Sequence, residues 1–192
     1  MVGNNQRMNR VAVIGSGGAG KSTLARRLGD LTGLPVYHLD RLMWKPGWVM
    51  RDDAEEDVML SEVARRPQWI IDGNYGRTMP LRFAAADTII FLDLSRWVCT
   101  WRVVMRAIDG MAQRHKRPDI TPGCDEEGDW EFFKWVWNFP NDGREVLLRR
   151  VEEHGRHATF HHLRTRAGVR EFIRAATRLS SSKTEAPRPD RA

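Results

Sequence analysis

The sequence predicts an α/β fold in which about five parallel strands are flanked by helices. Three observations carry this. Short apolar runs alternate with helix-like stretches along most of the 192 residues. Several of those runs are almost continuously apolar, as strands are when helices cover both faces of a sheet. A glycine-rich turn, Gly15 to Ser22, sits between the first apolar run and the first helix-like stretch.

Taken in order, the expected strands are Arg10 to Ile14, Pro35 to His38, Trp69 to Ile71, Thr88 to Leu92 and Ala158 to Leu163. Lys21 to Leu31 predicts the first helix, ended with the help of Gly33. An acidic start marks a second from Asp53 to Arg65. A third spans Arg96 to Ile108, with Trp97, Val98, Trp101, Val104 and Met105 read as its core face. Two more lie within Trp130 to Trp137 and Asp142 to His154, and the last near Val169 to Arg178. Ala112 to Asp129 contains Pro118, Pro122, Gly123 and Gly128 without periodicity, which predicts a long loop within a lid at about 109–141. Residues 1–9 read as a loose leader, 10–179 as one domain, and the polar, Pro-containing 180–192 as a disordered tail.

Composition narrows the class. No apolar run approaches the roughly 18 residues that span a bilayer, and residues 1–10 lack a secretory signal, so no membrane partner and a cytoplasmic location are expected. Cys99 and Cys124 have no metal-type spacing and read as free thiols. The formal net charge of +6 is carried mostly by arginine, whose planar fork binds phosphate bidentately. Such a surface attracts either a polyphosphate or nucleic acid.

The phosphate loop favours the polyphosphate and leaves nucleic acid open as a partner. Gly15-Ser16-Gly17-Gly18-Ala19-Gly20-Lys21-Ser22 matches G-x-x-x-x-G-K-[ST] in full, between a strand and a helix. Small residues let backbone N–H groups curl around phosphates, and the helix beginning at Lys21 points its positive end at the anion. Lys21 would neutralise β/γ-phosphate charge, the Ser22 hydroxyl would ligate Mg²⁺, and Thr23 completes the nucleotide-binding set. ATP and Mg²⁺ are the expected ligands. A carboxylate at a neighbouring strand end is also needed for the metal, and Asp72, Asp40 and Asp93 qualify in that order of preference.

Trp69-Ile70-Ile71-Asp72-Gly73 followed by Arg77 resembles the strand-Asp-Gly and phosphate-binding arginine of adenylate kinases. Ile90 to Ser95, followed by Arg102 and Arg106, resembles that family's fourth strand and the helix into its lid. The succession from Asn9 to Thr177 is closer still to bacterial DNA topology modulation proteins: HLD before an aromatic-Pro-Gly-Trp segment, DGNY with a nearby Arg77-Thr78, and a Trp-rich region after the lid. The resemblance implies a P-loop kinase-like fold, with Arg102 beside the adenine and Arg106 at the transferring phosphate. It also implies an acceptor site drawing on Asp40, Trp44, Asp72 and Arg77. The chain departs from adenylate kinases where Tyr75 replaces a proline, Arg77 stands one residue late, and His38-Leu39-Asp40 replaces Thr-Gly-Asp.

Two roles are open to Trp44 and Trp48: stacking on a planar acceptor, or anchoring a loop. Trp130, Phe132, Phe133, Trp135 and Trp137 read as a packing cluster beneath the lid. Asp40 reads as a general base if the acceptor is an alcohol, whereas a phosphate acceptor needs none. Arg114, Lys116 and Arg117 on the lid are further phosphate-facing cations. The expected activity is transfer of the γ-phosphate of MgATP to a nucleotide, nucleoside or similar small acceptor. The rival is an ATP-binding regulator acting on DNA topology. The six histidines have no metal spacing and read as ordinary polar residues, and no N-K-x-D motif supports a GTPase.

Overall fold

The computed structural model describes residues 8–111, 119–124 and 130–184. Five strands form one parallel sheet in the order β2-β5-β1-β6-β7. They are β1 (Arg10–Gly15), β2 (Val36–His38), β5 (Trp69–Asp72), β6 (Thr88–Leu92) and β7 (Thr159–Leu163). A short antiparallel hairpin of β3 (Trp44–Lys45) and β4 (Val49–Met50) stands apart from the sheet. The leader's residues 1–7 and the lid cations Arg114, Lys116 and Arg117 lie outside the described residues.

The near-continuous apolar strands are explained by two cores. Along β1, Val11 and Val13 face one core while Ala12 and Ile14 face the other. The first is closed by α1 (Lys21–Thr32), α5 (Arg96–Met111), α6 (Trp130–Asn138) and α8 (Arg166–Thr184). The second is closed by α2 (Leu39–Met43), α3 (Asp53–Ala64), α4 (Met79–Ala85) and α7 (Gly143–His154). Every side chain of β5 and β6 is buried. At about 25 cal/mol per Å² of apolar surface, this two-sided burial is the main stabilising term.

Local chemistry sets the helix ends. Asp52 caps α3 by accepting from the Glu55 N–H at 2.8 Å, and Gly33 ends α1 in the left-handed region with its N–H on Gly29 O at 2.8 Å. Two helices, α2 and α4, are too short for a periodic signal and were not expected. The helix α8 runs through Thr184, into the segment expected to be disordered, and 185–192 lies outside the described residues.

The expected core face of α5 is corrected. Cys99, Val103 and Ala107 are its buried residues, whereas Trp97 and Trp101 are 70% and 63% exposed. Hydrophobicity picked the wrong stripe because the phosphate loop demands small neighbours: a Cβ on Gly18 would lie 2.3 Å from Cys99 O. The aromatic cluster of α6 forms in part, with Trp135 stacked on Phe132 at 5.7 Å between ring centroids. Phe132 and Phe133 pack against the core, but Trp130 is 67% exposed and Trp135 41%.

Candidate active site

The C-terminal ends of β1, β2 and β5 open into one cleft of about 900 Å³, where the strand order reverses about β1. The loop from Gly15 to Ser22 forms its floor. Gly15, Gly18 and Gly20 all hold positive φ (144°, 71° and 96°), which side chains rarely tolerate. A Cβ on Gly15 would also lie 2.3 Å from Leu92 O, so the loop is wedged against the neighbouring strand. A Cβ on Gly17 would lie 2.7 Å from Val136 and 2.8 Å from Phe132 of α6.

Lys21 folds back along the loop and donates from Nζ to Gly15 O (3.0 Å) and Ser16 O (2.9 Å). Burial lowers its pKa, opposed by the charges of Asp40 and Asp72, while Arg106 lowers it further. An ammonium drawn out of water beside curled amides is a site prepared for an anion. Ser22, Thr23 and Ala19 line the same cleft, as do Arg102 and Arg106. Arg102 Nη1 donates to Gly18 O and Ala19 O at 3.2 and 3.3 Å, and burial followed by the nearby Arg166 lowers its pKa. The Arg106 guanidinium lies 6.0 Å from the Phe132 ring centroid.

Opposite the loop stand the acids. Asp40 lies at the start of α2 and lines the cleft, and Tyr75 Oη donates to its Oδ1 at 3.0 Å. Burial and the Asp40 charge push the Tyr75 phenol well above its ordinary value, so it remains a donor. Asp72 ends β5, is nearly fully buried and lines the cleft, with Oδ1 2.6 Å from His38 Nδ1. Asp72 Oδ2 makes no hydrogen bond among the described residues, so one carboxylate oxygen remains for a cation. Asp119, buried within the segment 119–124, adds a third acid to this end. Thr121 Oγ1 donates to Arg41 O and Trp44 O at 3.1 and 2.7 Å, fastening that segment to the β3–β4 side.

Three expected site residues are placed elsewhere. Arg77 turns onto α3, with Nη1 2.7 Å from Asp57, Nη2 2.5 Å from Glu56 and Nε 3.2 Å from Asp53, and does not line the cleft. The acidic turns of α3 satisfy its guanidinium, which sequence spacing alone does not reveal. Trp44 packs in the second core with its ring centroid 5.4 Å from that of Trp48, edge to face, rather than lining the cleft. Asp93 is held by Arg144 (Nε to Oδ1, 2.9 Å) and by His162 Nε2, 2.9 Å from Oδ2.

Sequence reasoning missed the device that shapes the loop after β5. Arg82 on α4 is fully buried and donates to Gly73 O (3.1 Å), Asn74 O (2.7 Å) and Tyr75 O (3.3 Å). Burial pulls its pKa down to about 9, and it stays a cation at neutral pH. The loop so held presents Asn74, whose Oδ1 accepts from Gly15 N (3.1 Å) and whose Nδ2 donates to Gly15 O (2.9 Å). The same loop delivers Tyr75, at the unusual φ of 25°, to Asp40. The signal was present in DGNY, but only the fold reveals Gly15 as the amide's partner.

The sheet, its flanking helices and the loop define a P-loop kinase fold. A shikimate kinase from Acinetobacter baumannii in complex with shikimate shares it at TM-score 0.54 and 16% identity, over 93% of this chain and 96% of that one. A shikimate kinase from Bacteroides thetaiotaomicron does so at 0.52 and 18%, over 91% and 99%. A deoxyadenosine kinase from M. mycoides with bound dATP does so at 0.50 and 14%, over 92% and 99%. No protein-family model and no curated protein matches the sequence. Among the described residues, no helix is long and apolar enough to cross a membrane.

Proposed function

We propose that this protein is an ATP-dependent phosphotransferase whose acceptor is a hydroxyl group on a small polar molecule. One observation carries the reading: a polyphosphate cradle and a phenol-held carboxylate, Asp40, meet in a single cleft. The arginine expected to bind an acceptor phosphate is instead occupied by three carboxylates of α3. An acceptor side carrying the Asp40 carboxylate disfavours a phosphate and suits a hydroxyl. The fold relatives, two shikimate kinases and a deoxyadenosine kinase, support a kinase reading. The adenylate-kinase resemblance then extends to the loop and the donor side but not to a nucleotide acceptor. Among the described residues, the cleft chemistry favours a small acceptor over the DNA-associated alternative.

Mg²⁺ fits the residues present, since it retains most of its waters and needs one or two protein oxygens beside the phosphates. Ser22 Oγ and the free Asp72 Oδ2 would hold it, and it would neutralise charge on the β- and γ-phosphates. The chain's own residues do the rest. Loop amides and Lys21 bind the β/γ-phosphates, while Arg102 and Arg106 offset charge on the equatorial oxygens. Tyr75 holds one oxygen of Asp40, leaving the other to take the acceptor's hydroxyl proton. The acceptor oxygen forms its bond to the γ-phosphorus as the bond to the β,γ-bridging oxygen breaks, and ADP leaves. Phe132 and Trp135 line the same cleft and exclude water from it.

The test measures ADP formation with MgATP and a panel of nucleosides, sugars and hydroxy acids, set against nucleoside monophosphates. A hydroxyl acceptor should stimulate turnover, and Asp40→Asn should abolish that stimulation while nucleotide binding persists. Stimulation by monophosphates alone would overturn the alcohol reading, and none by any acceptor would overturn transfer itself.

A further inference from the structure

The cleft is also lined by four cations that phosphoryl transfer does not use. Arg26 and Arg27 of α1 and Arg166 and Arg170 of α8 line it, all exposed, and none pairs with a carboxylate among the described residues. They fall on facing surfaces. Arg26 and Arg27 follow Ser22 and Thr23 by one turn of α1, and Arg170 follows Arg166 by one turn of α8. The two helices pack together. Arg166 also lies close enough to Arg102 for the two cations to repel.

Their position relative to the loop is informative. The transferring phosphate must face Asp40 and Asp72, so the rest of the donor must leave the loop in the other direction. There the chain offers a neutral base and ribose four guanidinium groups, more than either can use. Arginines without carboxylate partners around one cleft repel at a cost, and a cation opening α8 is disfavoured by the helix dipole as well. A dianionic group relieves both penalties.

We infer that this part of the cleft is a binding subsite for a second phosphate, carried on the ribose of the bound nucleotide. The ligand class is a nucleotide phosphorylated both at the 5′ position and on a ribose hydroxyl, bound in the donor site as substrate, product or inhibitor. The inference rests on the donor reading above and goes beyond it. Each exposed contact is individually weak, but four directed at one dianion should favour such a ligand by about tenfold at low salt.

Calorimetric titration with Mg²⁺ at low ionic strength compares ADP with adenosine 3′-phosphate 5′-diphosphate and its 2′-phosphate isomer. One isomer should bind about tenfold more tightly than ADP, and the ratio should fall toward one in Arg166→Ala/Arg170→Ala. Arg26→Ala/Arg27→Ala, on a different helix, should collapse the ratio in the same way and guards against misfolding of the first variant. Equal affinity for all three ligands in the unaltered protein would overturn the subsite alone. A ratio that survives both double substitutions would also overturn it, as would one left unchanged at high salt. Failure of every nucleotide to bind would overturn the donor reading together with it.

Discussion

Replacing Arg82 by Met should destabilise the fold by about 3–4 kcal/mol and loosen the phosphate loop at the same time. The side chains are similar in volume, so the cavity created is small and the main effect is loss of the guanidinium. Two carbonyls, of Gly73 and Asn74, lose the guanidinium as donor in a buried to half-buried region, while Tyr75 O keeps the Thr78 N–H and Oγ1. Each orphaned acceptor costs about 1–3 kcal/mol, and part of that is recovered because a cation no longer has to be buried. Against a total stability of about 5–15 kcal/mol the loss is large, equivalent to a melting temperature lower by about 10 °C. Urea unfolding followed by tryptophan fluorescence measures it, with the slope unchanged if the denatured state is unaffected. Because Arg82 holds the loop that presents Asn74 to Gly15, triphosphate affinity should fall in folded protein too. Arg82→Lys should be intermediate, since one ammonium cannot reach three carbonyls in a fork. A loss below about 1 kcal/mol for Arg82→Met, with affinity retained, would refute the reasoning.

Lys21→Ala should abolish triphosphate binding in calorimetry while the circular dichroism spectrum is retained, because the cradle loses its ammonium. In the intact protein, burial lowers the Lys21 pKa and a bound polyphosphate raises it again. Binding at alkaline pH below 10.5 should therefore take up a proton, seen as a buffer-dependent heat, and affinity should fall as pH rises through that window. Across the same window the unfolded chain holds more protons at this position than the free folded protein, so Lys21 makes stability rise with pH. Gly18→Ala should lose at least about tenfold in nucleotide affinity, since its Cβ would meet Cys99 O at 2.3 Å at a φ of 71°. Arg77→Ala should lower the melting temperature, though less than Arg82→Met, and leave the acceptor KM unchanged. A raised KM at unchanged stability would return Arg77 to the acceptor site.

The part of the site made from one stretch of chain was legible from residue order. Gly15 to Ser22 carries its own geometry, because positive φ, small side chains and a helix start are local properties. The strands were legible for a similar reason: two-sided burial makes β5 and β6 continuously apolar. Arg77 shows where local reading stops. A guanidinium reaches whichever carboxylates the fold brings nearest, and α3 brought Asp53, Glu56 and Asp57. The same holds for Trp97 and Trp101 of α5, where apolarity marked one stripe and the fold buried another around Cys99 and Val103.

Sequence alone therefore determined the parallel α/β architecture, through the apolar pattern carried by each strand, and the anion cradle, which is built from one stretch of chain. Tertiary structure decided what surrounds the cradle: Asn74 against Gly15 across 59 positions, Tyr75 against Asp40 across 35, and the four arginines of α1 and α8 along the same cleft. Those pairings depend on how strands and helices are set beside one another, and hydrogen bonds and charges act over a few ångströms of space whatever their separation along the chain.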